Sequence, residues 1–245
     1  MNILKFIETL GKFSKPIFTV NDAAMILGKD KVYTRLYLHR LKSKGVIVAV
    51  ERNKYTLVDT HPYSIATNLV FPSYISFLTA LHYYGMTTQI PGTIYIVSTH
   101  SKKNLDFGGY SISFIKLKKD RFFGYKREKF QNKFVFIAEK EKMIIDSLLL
   151  PQYCPVDEIR RAIEDKNLKI DTLVEYGIRI GSAVTLKRLG FLLESKGIDV
   201  YDQLKNRLNL KYDPLNPFLP EKGEKNGKWR LIINEVFEDV EQEKS

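Results

Sequence analysis

A single cysteine, Cys154, stands among 245 residues. That excludes an internal disulfide framework and any metal site built on a cysteine pair. Four histidines, scattered along the chain, offer no metal-ligand spacing. No HExxH and no GxxxxGK[ST] occurs, so neither a zinc-protease helix nor a phosphate-cradling loop is encoded. No apolar run approaches the roughly 18 residues of a membrane-crossing helix. The opening "MNILKFIETL" sets Glu8 inside its apolar stretch and lacks a small-residue cleavage site, so it reads as a first helix and not as a signal peptide. A protein of the reducing cytoplasm, without a membrane role, fits these absences. Other catalytic patterns fail in detail. Gly181-Ser182 resembles the start of a nucleotidyltransferase site, but Asp199 and Asp202 are spaced one residue too far for its metal-binding pair. Glu194-Ser195-Lys196 falls on a helix with no carboxylate partner, and Cys154 precedes a proline with no histidine nearby. His82 lies in an aromatic helix, and neither it nor His100 has a nameable catalytic partner. The reading is a non-enzyme without cofactor or metal.

Charge is present but unevenly placed. The net charge is +11. Residues 1–60 hold 11 Lys/Arg against 5 Asp/Glu, residues 102–133 hold 10 against 3, and residues 61–101 hold none of the four. Two basic zones thus flank an uncharged, aromatic-rich one, and cations clustered in this way point to a polyanionic partner.

The first sixty residues follow a recognisable order. Ile3, Phe6, Ile7 and Leu10 recur at helical spacing with Gly11 as the expected terminator. Thr19 and Asp22 have the spacing of a capping box for a second helix closed by Gly28. Asp30 is the expected cap of a third helix running to about Lys44, with Gly45 closing it. "VIVAV", "ERN" and "KYTL" then read as a hairpin. Helix, turn, helix and two-stranded hairpin is the winged helix-turn-helix order, whose second helix enters the DNA major groove. The candidate DNA-reading residues are Tyr33, Thr34, Arg35 and Arg40 on the helix, and Lys29 and Lys31 at its start for phosphate. Arg52 and Lys54, at the hairpin tip, complete the set. Leu38 and Leu41 are assigned to the core together with Val46 and Val48. Val32 and Leu36 are apolar on a different side, so the outward face is not fixed by the pattern.

A domain boundary is expected near residue 60, giving a winged-helix domain over 1–60 and a mixed α/β domain over 61–245. In the latter, "PSYISFLTALHYYG" predicts a buried helix and "TIYIVST" a buried strand. "SISFIKL", "FGYKREKF" and "KFVFIA" predict a mainly antiparallel sheet, so the class is α+β. Helices follow, with Pro155 and Asp171 at two of their starts, Ser182 capping a third and Asp199 a short last one. A final strand in "WRLIINEVF" and an acidic tail "EDVEQEKS" complete the chain. Aromatics Phe107, Tyr110, Phe122, Phe123 and Tyr125 interleave with Lys116, Lys118, Lys119, Arg121, Lys126 and Arg127. That zone suits a nucleic acid, a curved sheet with its lysines in water, or an acidic protein partner.

"PSYISFLTALHYYGMTTQIPGTIYIVST", "RFFGY", "EKMIIDSLLLP" and "VEYGIRIGSAVTLKRLGFLLE" occur in the order seen in AbiEi-type antitoxins, which the chain resembles over nearly its whole length. Those proteins are DNA-binding regulators from abortive-infection, phage-defence toxin–antitoxin pairs. The resemblance implies an autorepressor that binds inverted repeats of double-stranded promoter DNA through the segment Lys29 to Lys54. It also implies a C-terminal domain that neutralises a nucleotidyltransferase-like toxin. Arg121 to Arg127, with Lys187 and Arg188, are the candidate antitoxic surface. A stand-alone regulator, or a protein-interaction module without a toxin, would share this sequence pattern. Paired half-sites suit a homodimer or cooperative monomers alike.

Overall fold

The computed structural model describes residues 2–12, 15–131 and 133–237. The fold is mixed α+β, and no helix among the described residues is long and apolar enough to cross a membrane. The predicted acidic tail, from residue 238 onward, lies outside the described residues.

The chain opens with α1 (Ile3–Lys12), β1 (Phe18–Thr19), α2 (Val20–Leu27) and α3 (Lys31–Ser43), followed by β2 (Ile47–Glu51) and β3 (Lys54–Leu57). Gly11 does not stop α1; the helix runs one residue past it. The capping box forms as its spacing predicts. The Asp22 backbone N–H donates to Thr19 Oγ1 at 3.2 Å, and Thr19 N–H donates back to Asp22 Oδ2 at 2.7 Å. Gly28 ends α2 at φ 63°, a left-handed conformation that costs glycine little. Asp30 Oδ1 accepts the Tyr33 backbone N–H at 2.8 Å and starts α3. The hairpin gains a third strand that the sequence pattern does not reveal. Phe18 and Thr19 pair antiparallel with Tyr55 and Lys54, giving the order β1-β3-β2. Phe6, Leu10, Phe18, Val20, Ala23, Leu38, Leu41 and Ile47 form the core beneath these elements. The strand parity therefore differs from expectation: Ile47 points inward, while its neighbours Val46 and Val48 are only partly buried.

Next come α4 (Pro62–Ala66), β4 (Ser73–Ile75), α5 (Phe77–Tyr83), β5 (Thr93–Ser98), β6 (Leu105–Phe107), β7 (Tyr110–Lys116), β8 (Tyr125–Phe130) and β9 (Lys133–Ala138). The long helix predicted from Tyr74 begins only at Phe77. Residues 73–75 are instead a fully buried strand at the middle of a six-stranded sheet of order β6-β7-β5-β4-β9-β8. The helical spacing of Tyr74 and Leu78 is coincidental, because both faces of a central strand are buried and period alone cannot separate the two. The sheet is mixed and not mainly antiparallel: β5 pairs parallel with β7 and β4 with β9, whereas β4–β5 and β6–β7 are antiparallel. The 3-10 turn Lys119–Arg121 precedes β8.

The remainder is α6 (Lys140–Leu149), α7 (Val156–Ala162), α8 (Ile170–Ile180), α9 (Ala183–Glu194) and α10 (Tyr201–Leu204), then short strands β10 (Asp213–Pro214), β11 (Glu224–Asn226) and β12 (Leu231–Ile233). Helix α6 lies in the centre, touching α5, α7, α8 and α9. Asp171 sits inside the first turn of α8 and not at its cap, since the helix begins at Ile170. Ser182 Oγ accepts the Thr185 N–H and caps α9 as anticipated. Asp199 Oδ1 accepts the Tyr201 N–H, but Asp199 lies one residue before Val200, the cap position of α10. Gly190 lies where α9 meets the ring of Trp229, and a Cβ there would collide with the six-membered ring.

The chain divides into two compact units. One comprises Met1–Ile75, Gly92–Leu117 and Lys126–Ile137; the other comprises Ser76–Pro91, Lys118–Tyr125 and Ala138–Ser245. Residue 60 falls within the first of them.

Candidate nucleic-acid interface

Helix α3 is seated on one side and free on the other. Thr34, Leu38 and Leu41 are buried, whereas Lys31, Val32, Tyr33, Arg35, Leu36, His39, Arg40 and Lys42 are exposed. This fixes the face that the apolar pattern left ambiguous. Thr34 is therefore removed from the candidate set: it is fully buried, and its hydroxyl donates to the Asp30 carbonyl at 2.7 Å.

The remaining helix candidates share the solvent side. Tyr33 is anchored, since its ring stacks on Tyr37 at 6.5 Å and Tyr37 meets Phe6 edge-on at 5.4 Å in the core. The ammonium of Lys29 lies 5.9 Å from the Tyr33 ring, a cation–π distance that leaves its charge open to a further partner. Among the described residues, no carboxylate lies within ion-pair distance of Lys31, Arg35, Arg40 or Arg52. Arg52 is exposed at the hairpin turn, beside Asn53 at φ 62°.

Lys54 differs from the other hairpin candidate. Its ammonium pairs with Glu51 at 3.0 Å, and Glu51 also pairs with Lys102. Glu51 remains ionised below the usual carboxylate range: burial opposes this, but the two lysines together outweigh it. Lys54 is half-buried and lines a cavity with Lys15, Thr19, Asp22, Asn68 and Phe71. Its charge is neutralised locally, so it drops from the set of free cations. The spacing to Glu51 in the sequence carried that signal.

The second basic zone is split by its placement. Lys118 and Lys119 are exposed and Arg121 is half-buried, all around the 3-10 turn. Lys126 pairs with Glu128 at 2.6 Å, and the Arg127 guanidinium covers the Phe134 ring at 3.6 Å. Lys126, Arg127 and Lys129 are exposed on β8, an edge strand of the sheet. Charged side chains on an edge discourage pairing with another chain, so this part of the zone has a use within the fold.

Lys187 and Arg188 are corrected outright. Lys187 is fully buried, its ammonium held by Asn209 and Asp213, each at 2.7 Å, and by the Lys211 carbonyl. Arg188 is 4% exposed and donates to the carbonyls of Leu148 and Pro214. Burial lowers its pKa to about 10, which still leaves it charged at neutral pH. Neither can face a partner.

Other reactive side chains are locked. Ser76, at the turn from β4 into α5, is fully buried and donates to Asp146, which also holds the buried ammonium of Lys142. Burial pushes the Cys154 thiol up to about 12, far from a thiolate at neutral pH. His61 Nδ1 accepts the Tyr63 N–H at 3.2 Å, and burial lowers its pKa. Among the described residues, no group of three or more His, Cys, Asp or Glu could hold a metal ion. No family model matches this chain, and no curated protein matches it.

Proposed function

We propose that the chain is a duplex-DNA-binding transcriptional regulator, with residues 1–60 acting as a winged helix and α3 entering the major groove. The observation that supports this most is the division of α3 into a seated apolar side and a free side carrying the unpaired cations Lys31, Arg35 and Arg40. A single helix fits the major groove, and arginines on it reach guanine edges or phosphates. Arg52 at the hairpin turn supplies a further phosphate contact, and Lys29 another at the start of the helix. The net charge of +11 favours a polyanion over a neutral partner.

The finer reading rests on the resemblance to AbiEi-type antitoxins: an autorepressor of its own operon that also neutralises a nucleotidyltransferase-like toxin. With Lys187 and Arg188 excluded by burial, Lys118, Lys119 and Arg121 are the remaining cations for a toxin in the second unit. Co-purification with the product of a neighbouring nucleotidyltransferase gene tests that part.

For DNA, the measurement is fluorescence anisotropy on the duplex upstream of the protein's own gene, as a function of salt. Log affinity should fall linearly with log salt, and Arg35→Ala/Arg40→Ala should make that slope shallower by about 0.9 for each phosphate no longer neutralised. Salt-independent binding, or an unchanged slope in the double variant, rejects the reading.

A further inference from the structure

An uncharged pair occupies the middle of the free face of α3. At about 100° per residue, Val32 and Leu36 fall within about 30° of the line opposite the buried Thr34, Leu38 and Leu41. Both are open to solvent, 77% and 51% exposed respectively, and four residues apart they are neighbours on the helix surface. Lys31 and Arg35 run along one flank, Tyr33 and Arg40 along the other. Exposed aliphatic residues occurring singly are ordinary. Two adjacent ones, outside the set that packs on the core and bracketed by unpaired cations, ask for a ligand that is apolar at its centre and anionic at its edges.

The major groove of an A·T-containing duplex has that character. Each thymine presents a C5 methyl to the groove, and the phosphates line its rims. The composition of the helix points the same way. The segment KVYTRLYLHRLKS contains no asparagine or glutamine, the side chains that grip adenine with paired hydrogen bonds. An A·T pair can then be recognised by this helix chiefly through its methyl group.

We propose that Val32 and Leu36 read thymine methyl groups, so that the selected site has A·T pairs under the centre of α3. Positions beneath Arg35 and Arg40 are read as guanine or phosphate. This rests on the DNA-binding reading above and adds the base preference to it.

The test compares the duplex upstream of the protein's own gene with the same duplex carrying uracil for every thymine, which removes only the methyl groups. The full-length protein should bind the uracil duplex more weakly by about four-fold for each methyl contacted, the worth of one buried methyl-sized group. Val32→Ala/Leu36→Ala should bind the thymine duplex more weakly than the parent does and lose the distinction between the two duplexes. Both side chains are exposed, so its melting temperature should match the parent's. Equal binding of both duplexes by the parent overturns this proposal and leaves the DNA-binding reading standing. So does methyl dependence that survives in the double variant. Failure to bind either duplex above an unrelated one of equal length overturns both. A helix face that instead mediates self-association, detected by sedimentation and abolished in the double variant without any duplex binding, also overturns both.

Discussion

Trp229 shows how a single residue organises the carboxy-terminal strands. Its ring is fully buried and lies over Gly190, while its indole N–H donates to Glu194 Oε2 at 2.6 Å. Tyr201 meets it edge-on at 5.2 Å. Gly190 is there for its missing side chain: its backbone is ordinary helix, and the demand is for space. Gly190→Ala should destabilise the protein by about 1–3 kcal/mol, the usual penalty for overfilling a packed interior. Urea denaturation should show a lower midpoint at unchanged slope. The same position illustrates what single residues reveal in advance. Gly190 is visible in the sequence as part of an apolar stripe with Leu186, Leu189 and Leu193, but the reason for a glycine there is a tryptophan far along the chain, which no local pattern contains. Lys187 and Arg188 mislead for the same reason. Two adjacent cations on a helix look solvated until Asp213 and two distant carbonyls are seen to enclose them.

Among the elements, those defined by neighbours in sequence were the legible ones. The capping box of α2, the Asp30 cap of α3, the hairpin β2–β3 and the Ser182 cap of α9 each depend on residues within a few positions of one another. Substituting Thr19 by Ala should cost about 1 kcal/mol, by removing the acceptor for the Asp22 backbone N–H. A chemical melt of the variant against the parent measures this, with DNA affinity on α3 expected to stay the same per folded molecule. Elements defined by distant partners were not legible. Strand β1 exists because Tyr55 and Lys54 pair with it, and β4 exists because β5 and β9 flank it. In both cases the local pattern favoured a helix or its cap. The parallel pairings of β5 with β7 and β4 with β9 were hidden likewise, because strand direction is set by the route of the chain and not by side-chain alternation. For the candidate site, composition pointed to α3 and its cations. Which face is free required seeing Thr34 enclosed.

At the scale of the whole chain, the backbone passes between the two units five times, at 75/76, 91/92, 117/118, 125/126 and 137/138. No single cut separates them. Removing residues 1–60 leaves all six strands of the larger sheet, whereas removing residues 1–75 deletes β4 from its middle and exposes the facing edges of β5 and β9. The shorter truncation should elute as a discrete species by size-exclusion chromatography. The longer one should aggregate, because unpaired central strands offer their backbone groups to other chains.

The carboxylate that begins α3 carries one more implication. Helix N-termini attract phosphate through their free N–H groups and the positive end of the dipole, but here Asp30 already fills that position with its own negative charge. At this end of α3 the Tyr33 N–H is already taken by a carboxylate of the chain itself. On the proposed reading, the free N–H groups of this helix end are therefore not the phosphate site, and a strand passing here would be held by Lys29 and Lys31, the exposed cations on either side of Asp30.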